Sequence, residues 1–187
     1  MRIGIINYQN LNNRRCPTIV KVMRKLGHDI TVLSAHDDHF TIIKESKITH
    51  WIFSGSPLDV NDPPSPQVNK KILGLQDKRF LLICYSMESV LKSLGCKLMT
   101  SKKSKNDTIP LTPLYNNYLT GGMKIPISAA RYHYTHITVS SLPPRIRLQM
   151  KHKNEVMTCH YRNCVMVQWH PELSEEGDLF LSNWLSK

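Results

Sequence analysis

The stretch Arg79-Phe80-Leu81-Leu82-Ile83-Cys84-Tyr85-Ser86-Met87-Glu88 decides how this chain is read. Its Leu/Ile run has the length and composition of a buried strand. Met87-Glu88-Ser89-Val90-Leu91-Lys92-Ser93-Leu94 continues with helical spacing until Gly95 ends it. Cys84 therefore stands where a strand turns into a helix, the place at which a nucleophile elbow lifts a side chain above a sheet edge. The partial positive charge of a helix N-terminus favours thiolate over thiol there. Far downstream, Val167-Gln168-Trp169-His170-Pro171-Glu172 supplies a histidine and a carboxylate. Attacker, base and base-orienter are what a thiol nucleophile needs.

Outward from this core, the first half alternates strands with helices. Arg2 to Ile6 reads as a strand, Thr18 to Leu26 as a helix stopped by Gly27, and His28 to Leu33 as a second strand. Phe40 to Ser46 reads as a short helix, and His50 to Phe53 as a third strand running into Ser54-Gly55-Ser56-Pro57. Asp59 to Pro66, with three prolines, is a loop, and Gln67 to Leu75 reads as a helix. Such alternation predicts an α/β architecture, a mostly parallel sheet with helices on both faces. Ligands of these sheets bind at the carboxyl ends of the strands, where both the Ser54–Pro57 loop and Cys84 fall.

From Lys97 onward the pattern changes. Leu98–Ser101, Leu119–Ile127, His136–Ser140, Ile146–His152 and Val156–Tyr161 are short, β-rich and separated by Pro, Gly or Asn. They predict an antiparallel excursion packed on the parallel sheet. Val165 to Trp169 returns as a strand that delivers His170 to the edge holding Cys84. Asp178 to Leu185 closes the chain as an amphipathic helix. Residues 1–187 are expected to form one domain, a length that suits a single sizeable core.

Composition narrows the function classes. No apolar stretch has the length that crosses a bilayer, and the N-terminus turns polar too soon for a signal peptide. Five cysteines (Cys16, Cys84, Cys96, Cys159 and Cys164) are an odd number without framework spacing, so a reducing, cytoplasmic setting is expected. Cys159, His160 and Cys164 lack a fourth ligand at a recognised spacing, and no metal site is predicted. The formal charge of +11 gathers in Lys102-Lys103-Ser104-Lys105, Arg145-Ile146-Arg147 and Lys151-His152-Lys153. Such a field attracts anions, but no nucleic-acid motif or aromatic–basic interleaving accompanies it, so nucleic acid is not the expected partner.

Three ordered blocks carry a resemblance to the class I glutamine amidotransferases, the triad family with a flavodoxin-like fold. Cys84 fills the nucleophile position of the family's Gly-x-Cys-x-Gly-x-Gln pattern, and Tyr85 and Met87 match the Cys-Tyr-Gly-Met-Gln version of GMP synthetase-type domains. His170, Pro171 and Glu172 match the family's histidine-proline-glutamate signature. Ile52-Phe53-Ser54-Gly55-Ser56-Pro57 resembles its oxyanion loop. The resemblance implies that Cys84 attacks the side-chain amide of glutamine, His170 acts as base and then acid, and Glu172 orients the imidazole. It further implies an oxyanion site made by the backbone N–H groups of Ser56 and Tyr85. Gly55, Glu88 and Tyr134 fall at substrate-contact positions. The implied products are glutamate and ammonia, the latter passing to a separate synthase partner. No metal or organic cofactor is implied.

Departures from the pattern open two further readings. Leu82 and Ser86 replace the glycines that flank the family's cysteine, where larger residues are expected to crowd a strained elbow. Glu88 replaces the family's substrate-contacting glutamine. Tyr134, within Arg131-Tyr132-His133-Tyr134-Thr135-His136, replaces a serine, and Arg131 is either a carboxylate anchor or part of a surface ion pair. The Ser54-Gly55-Ser56-Pro57 version resembles that of γ-glutamyl peptidases, which cleave γ-glutamyl amides without supplying a synthase. The substituted elbow fits a non-catalytic binding module of the same fold.

Overall fold

The computed structural model describes residues 1–9 and 17–187. Cys16, one of the five cysteines counted above, lies outside them. β1 (Arg2–Asn7), β2 (Asp29–Ser34), β3 (His50–Phe53), β4 (Arg79–Ile83) and β9 (Cys164–Val167) pair in parallel. β8 (Glu155–Tyr161) and β7 (Arg147–His152) add to β9 antiparallel, giving the order β2-β1-β3-β4-β9-β8-β7. A separate antiparallel pair joins β5 (Leu98–Leu111) to β6 (Ile127–Ile137). The expected α/β architecture, with a mostly parallel sheet and a β-rich second half, is the one observed.

Period-two alternation assigns each strand residue to one of two apolar layers. Ile3, Ile5, Ile52, Leu81, Ile83, Val165 and Val167 face one layer, which is closed by α1 (Pro17–Lys25) and α4 (Gly177–Leu185). Trp51, Phe53, Phe80, Leu82 and Met166 face the other, closed by α2 (His39–Glu45) and α3 (Tyr85–Ser93). Strands buried on both faces read as continuous apolar runs, which is why β4 carries Phe80-Leu81-Leu82-Ile83. Each such large side chain, once fully buried, contributes about 1.5–3 kcal/mol. Gly4 leaves room for a neighbouring strand's ring, because a Cβ there would lie 2.1 Å from Trp51.

Several sequence expectations are corrected. Gln67–Leu75 is not an α-helix: it holds only a 3₁₀ turn over Lys70–Gly74, with Asn69 capping the Lys71 N–H. Only Ile72 and Leu73 of that turn are buried, too few to pin a longer helix. Leu119–Ile127 is not β-rich but a 3₁₀ turn (Tyr118–Thr120) and a loop. Gly122 adopts φ 73° and Pro126 donates no ladder bond, so pairing begins at Ile127. His136–Ser140 is split, with β6 ending at Ile137 and a turn over Val139–Ser141 following. Leu98–Ser101 is only the start of a 14-residue strand whose register breaks between Thr100 and Lys105. β7 and β8 extend the main sheet instead of leaving it.

Candidate active site

Cys84 ends β4 and begins α3 with φ 51° and ψ −110°, a left-handed value uncommon outside glycine. Two bonds hold this conformation: Cys84 N–H donates to the Val167 carbonyl at 2.7 Å, and Glu88 N–H to the Cys84 carbonyl at 3.0 Å. The first ties the elbow to the end of β9, which leads directly into Gln168-Trp169-His170. His170 N–H donates to the Ala130 carbonyl of β6 at 2.9 Å, so three strands converge on this edge.

The expected crowding is absorbed. Leu82 packs fully buried among the apolar residues beneath α3. Ser86 donates its hydroxyl to the Ser54 carbonyl at 2.6 Å, stitching the elbow helix to the Ser54–Pro57 loop. Ser54 in turn accepts the Tyr8 N–H at 2.9 Å. Gly55 lies between Cys84 and His170: a Cβ there would stand 2.9 Å from His170 Cε1 and 3.4 Å from Cys84 Cβ. Only hydrogen fits at that distance.

His170 and Glu172 are both buried, with Nδ1 and Oε1 2.9 Å apart. Pro171 begins the short turn Pro171–Leu173 that folds the carboxylate back under the ring. Burial opposes a charge on His170, but the Glu172 carboxylate and the neighbouring Cys84 sulfur outweigh it and hold the imidazolium well above the usual range. Burial pushes the Cys84 thiol up, and the His170 ring works against that push. Burial thus works against the thiolate that the helix N-terminus favours. A proton must sit on His170 for the sulfur to carry charge.

A cleft of about 410 Å³ opens over the sulfur, with Ser56, Tyr85, Glu88 and Tyr134 among its lining residues. Tyr134 is exposed at the rim. Glu88 is more deeply placed than the sequence suggested. Its Oε1 accepts from Gln168 Nε2 at 2.8 Å and its Oε2 from the Thr135 hydroxyl. Burial pushes its carboxyl up to about 7 against the pull of these two bonds. Gln168 Nε2 also lies 3.7 Å from Cys84 Sγ, linking Glu88 to the sulfur through one side chain.

Sequence reasoning missed Gln168, Thr135, Tyr132 and Asp59. Tyr132 lines the cleft, stands edge-on to the His170 ring at 5.8 Å and 72°, and places its carbonyl 3.8 Å from the sulfur. Alternation along β6 is the signal that finds it: Arg131, His133 and Thr135 are buried while Tyr132 and Tyr134 face out. Arg131 is no free carboxylate anchor. It forks onto Asp107 at 2.9 and 2.8 Å and reaches Glu155 at 3.3 Å. Burial opposes ionisation of Glu155, yet His133 and Lys105 overcome it and hold its carboxyl at about 2. This network ties β5, β6 and β8 together.

α4 fixes the same edge from below. A Cβ at Gly177 would lie 1.6 Å from the Pro171 carbonyl oxygen. Gly177→Ala is expected to displace the His170–Glu172 turn and destabilise the protein by about 1–3 kcal/mol, read by urea unfolding.

A cysteine at a strand-to-helix elbow and a buried histidine–carboxylate pair thus lie at the carboxyl edge of one mostly parallel sheet. The model of the class I glutamine amidotransferase family matches residues 16–186, and the chain belongs to that family. Among similar proteins, the glutamine-hydrolysing GMP synthase of Pyrobaculum aerophilum is 27% identical over 183 residues, covering 95% of this chain and 35% of that protein. The GMP synthase of Wigglesworthia glossinidia brevipalpis is 26% identical over 191 residues, covering 89% of this chain and 34% of that protein. The chain thus spans about a third of the length of these curated relatives.

Solved structures agree in fold. A Thermoplasma acidophilum protein, provisionally assigned to GMP synthase, superposes with a TM-score of 0.81 at 15% identity, over 100% of this chain and 92% of that one. A glutamine amidotransferase of Thermotoga maritima gives 0.67 at 15% identity, over 99% and 80%. The fold is flavodoxin-like α/β. Among the described residues, no helix is long and apolar enough to cross a membrane.

Proposed function

We propose that this chain hydrolyses the side-chain amide of glutamine to glutamate and ammonia. Cys84 is the nucleophile, His170 the base and then acid, and Glu172 the group that orients the imidazole. The observation that carries this reading is the Glu172–His170 bond of 2.9 Å, buried beside a cysteine held at φ 51°. In the first step Cys84 Sγ bonds to the amide carbon while His170 delivers a proton to the departing nitrogen. The backbone N–H groups of Ser56 and Tyr85 receive the oxyanion. Water activated by the neutral imidazole then releases glutamate from the thioester. The matched GMP synthases, named as glutamine-hydrolysing, support an acceptor synthase as partner for the ammonia.

Steady-state glutaminase assays, with and without a synthase partner, test this reading with Cys84→Ala as the blank. Hydrolysis that depends on Cys84 supports it. Absence of turnover on every γ-glutamyl amide, in protein whose Cys84 still alkylates, leaves a binding module instead.

A second reading, a γ-glutamyl peptidase-like hydrolase, rests on the Ser54-Gly55-Ser56-Pro57 loop, whose Ser56 and Pro57 line the cleft over the sulfur. γ-Glutamyl dipeptides assayed beside glutamine separate the two.

A further inference from the structure

At the opposite edge of the sheet from Cys84, a basic cleft stands apart from the machinery described above. The turns that precede β4 and β9 meet there, because the two strands run in parallel. Asn163 joins them: its side-chain amide donates to the carbonyls of Leu75 and Lys78, and its own carbonyl accepts the Phe80 N–H at 3.0 Å. Over this joint, Lys70, Lys71, Arg145 and Arg162 line a cleft of about 310 Å³ together with Tyr161.

Every charged residue of that lining is a cation. None of the four forms an ion pair among the described residues, although Lys25, Lys78, Lys105 and Arg131 elsewhere do. The two guanidinium groups are held in place. Both lie over the Tyr161 ring, at 5.7 Å for Arg145 and 5.3 Å for Arg162, and Arg162 also donates to the Leu73 carbonyl at 3.3 Å. Stacking on an aromatic face leaves in-plane N–H groups for a forked contact with an oxyanion. Converging like charges repel, and an anion seated among them relieves that repulsion.

We propose that this cleft binds a small ligand carrying two linked phosphoryl groups, with Arg145 and Arg162 as the fork and Lys70 and Lys71 as point charges. One phosphoryl group carries at most about two negative charges near neutral pH and so balances only half of the four cations. Two such groups balance them all. The four cations meet around one shallow, open depression, and the neighbouring Arg147 turns instead to stack on Tyr115 at 4.3 Å. That arrangement fits a compact ligand better than a nucleic-acid backbone.

The test is isothermal titration of the full chain with inorganic pyrophosphate, compared with orthophosphate and a single-stranded oligonucleotide. Saturable one-site binding is expected, at least tenfold tighter for pyrophosphate than for orthophosphate. The double variant Arg145→Gln/Arg162→Gln should weaken it at least tenfold, and so should Lys70→Gln/Lys71→Gln, whose positions are exposed on a turn. The rate of Cys84 alkylation should stay unchanged in both variants, which separates a lost site from a lost fold and from any failure of the glutaminase reading. Absence of saturable binding at millimolar pyrophosphate overturns the proposal, as does unchanged binding in both variants or equal affinity for the two anions. Tighter binding of the oligonucleotide, lost in the same variants, replaces it with a nucleic-acid surface.

Discussion

Alanine at His170 is expected to lower glutamine hydrolysis by about 10²–10⁴ and to slow alkylation of Cys84 near neutral pH. The reason lies in the burial of the thiol. Desolvation pushes Cys84 up, and the His170 ring is what works against it, so removing the ring leaves a buried neutral thiol. The alanine variant also strands the Glu172 carboxylate, whose side chain is only 1% exposed, without its partner. Unpaired buried charge costs stability, and the double variant His170→Ala/Glu172→Gln separates that cost from the chemical one. Both variants should be silent on glutamine, and the double variant should unfold at a higher urea concentration than the single. Stopped-flow alkylation across pH 6–9 reads the thiolate directly. A reactivity profile unchanged by His170→Ala would show that the imidazole does not control the sulfur.

Glutamine in place of Glu88 should stabilise the protein at pH 8 by about 3 kcal/mol and flatten its stability profile between pH 4.5 and 7. Glu88 titrates near 7 in the folded protein against an ordinary 4.5, because burial outweighs its bonds from Thr135 and Gln168. A carboxyl whose folded value is raised loses its proton first in the unfolded chain. Folding is therefore favoured below about 4.5, and that advantage disappears as pH rises through 7. The shift of roughly 2.5 pH units corresponds to about 3 kcal/mol. An amide keeps the shape and both partners, with its oxygen accepting from Gln168 and its N–H₂ donating to the Thr135 hydroxyl. The same substitution removes a negative charge that pushes Cys84 up, so alkylation at pH 8 should quicken and the KM for glutamine should fall. Urea unfolding at several pH values decides the first part. A variant whose stability falls between pH 4.5 and 7 as steeply as the wild type would show that Glu88 is not the titrating group.

Much of this arrangement was legible in the sequence, and the residues that escaped share a cause. Strands β1, β3, β4 and β9 were readable because a strand buried on both faces is a short unbroken apolar run, which no loop imitates. Cys84, His170 and Glu172 were readable because their residue types are few and their flanks are a strand end and a proline turn. β5 was largely missed because only two of its 14 residues are buried, so hydrophobic patterning marks little of it. Its length is set by pairing with β6, a partner far along the chain. Gln168 and Thr135 were missed for a related reason. Each acts through a bond to Glu88, at sequence separations of 80 and 47, and local patterning carries nothing about such pairs. Ser86 appeared as an obstruction because residue size was legible while its bond to the Ser54 carbonyl was not.

The proposed chemistry turns on a covalent γ-glutamyl bond to Cys84. Rapid acid quench of the protein with glutamine, and separately with a γ-glutamyl dipeptide, followed by peptide mass spectrometry, tests that bond directly. A γ-glutamyl adduct is expected on the peptide that carries Cys84, absent in Cys84→Ala and longer-lived in Glu172→Gln, where deacylation loses its oriented base. An adduct formed from the dipeptide but not from glutamine would move the activity to the peptidase reading. Unmodified Cys84 with both substrates, in protein that still alkylates at that residue, would contradict the proposed chemistry.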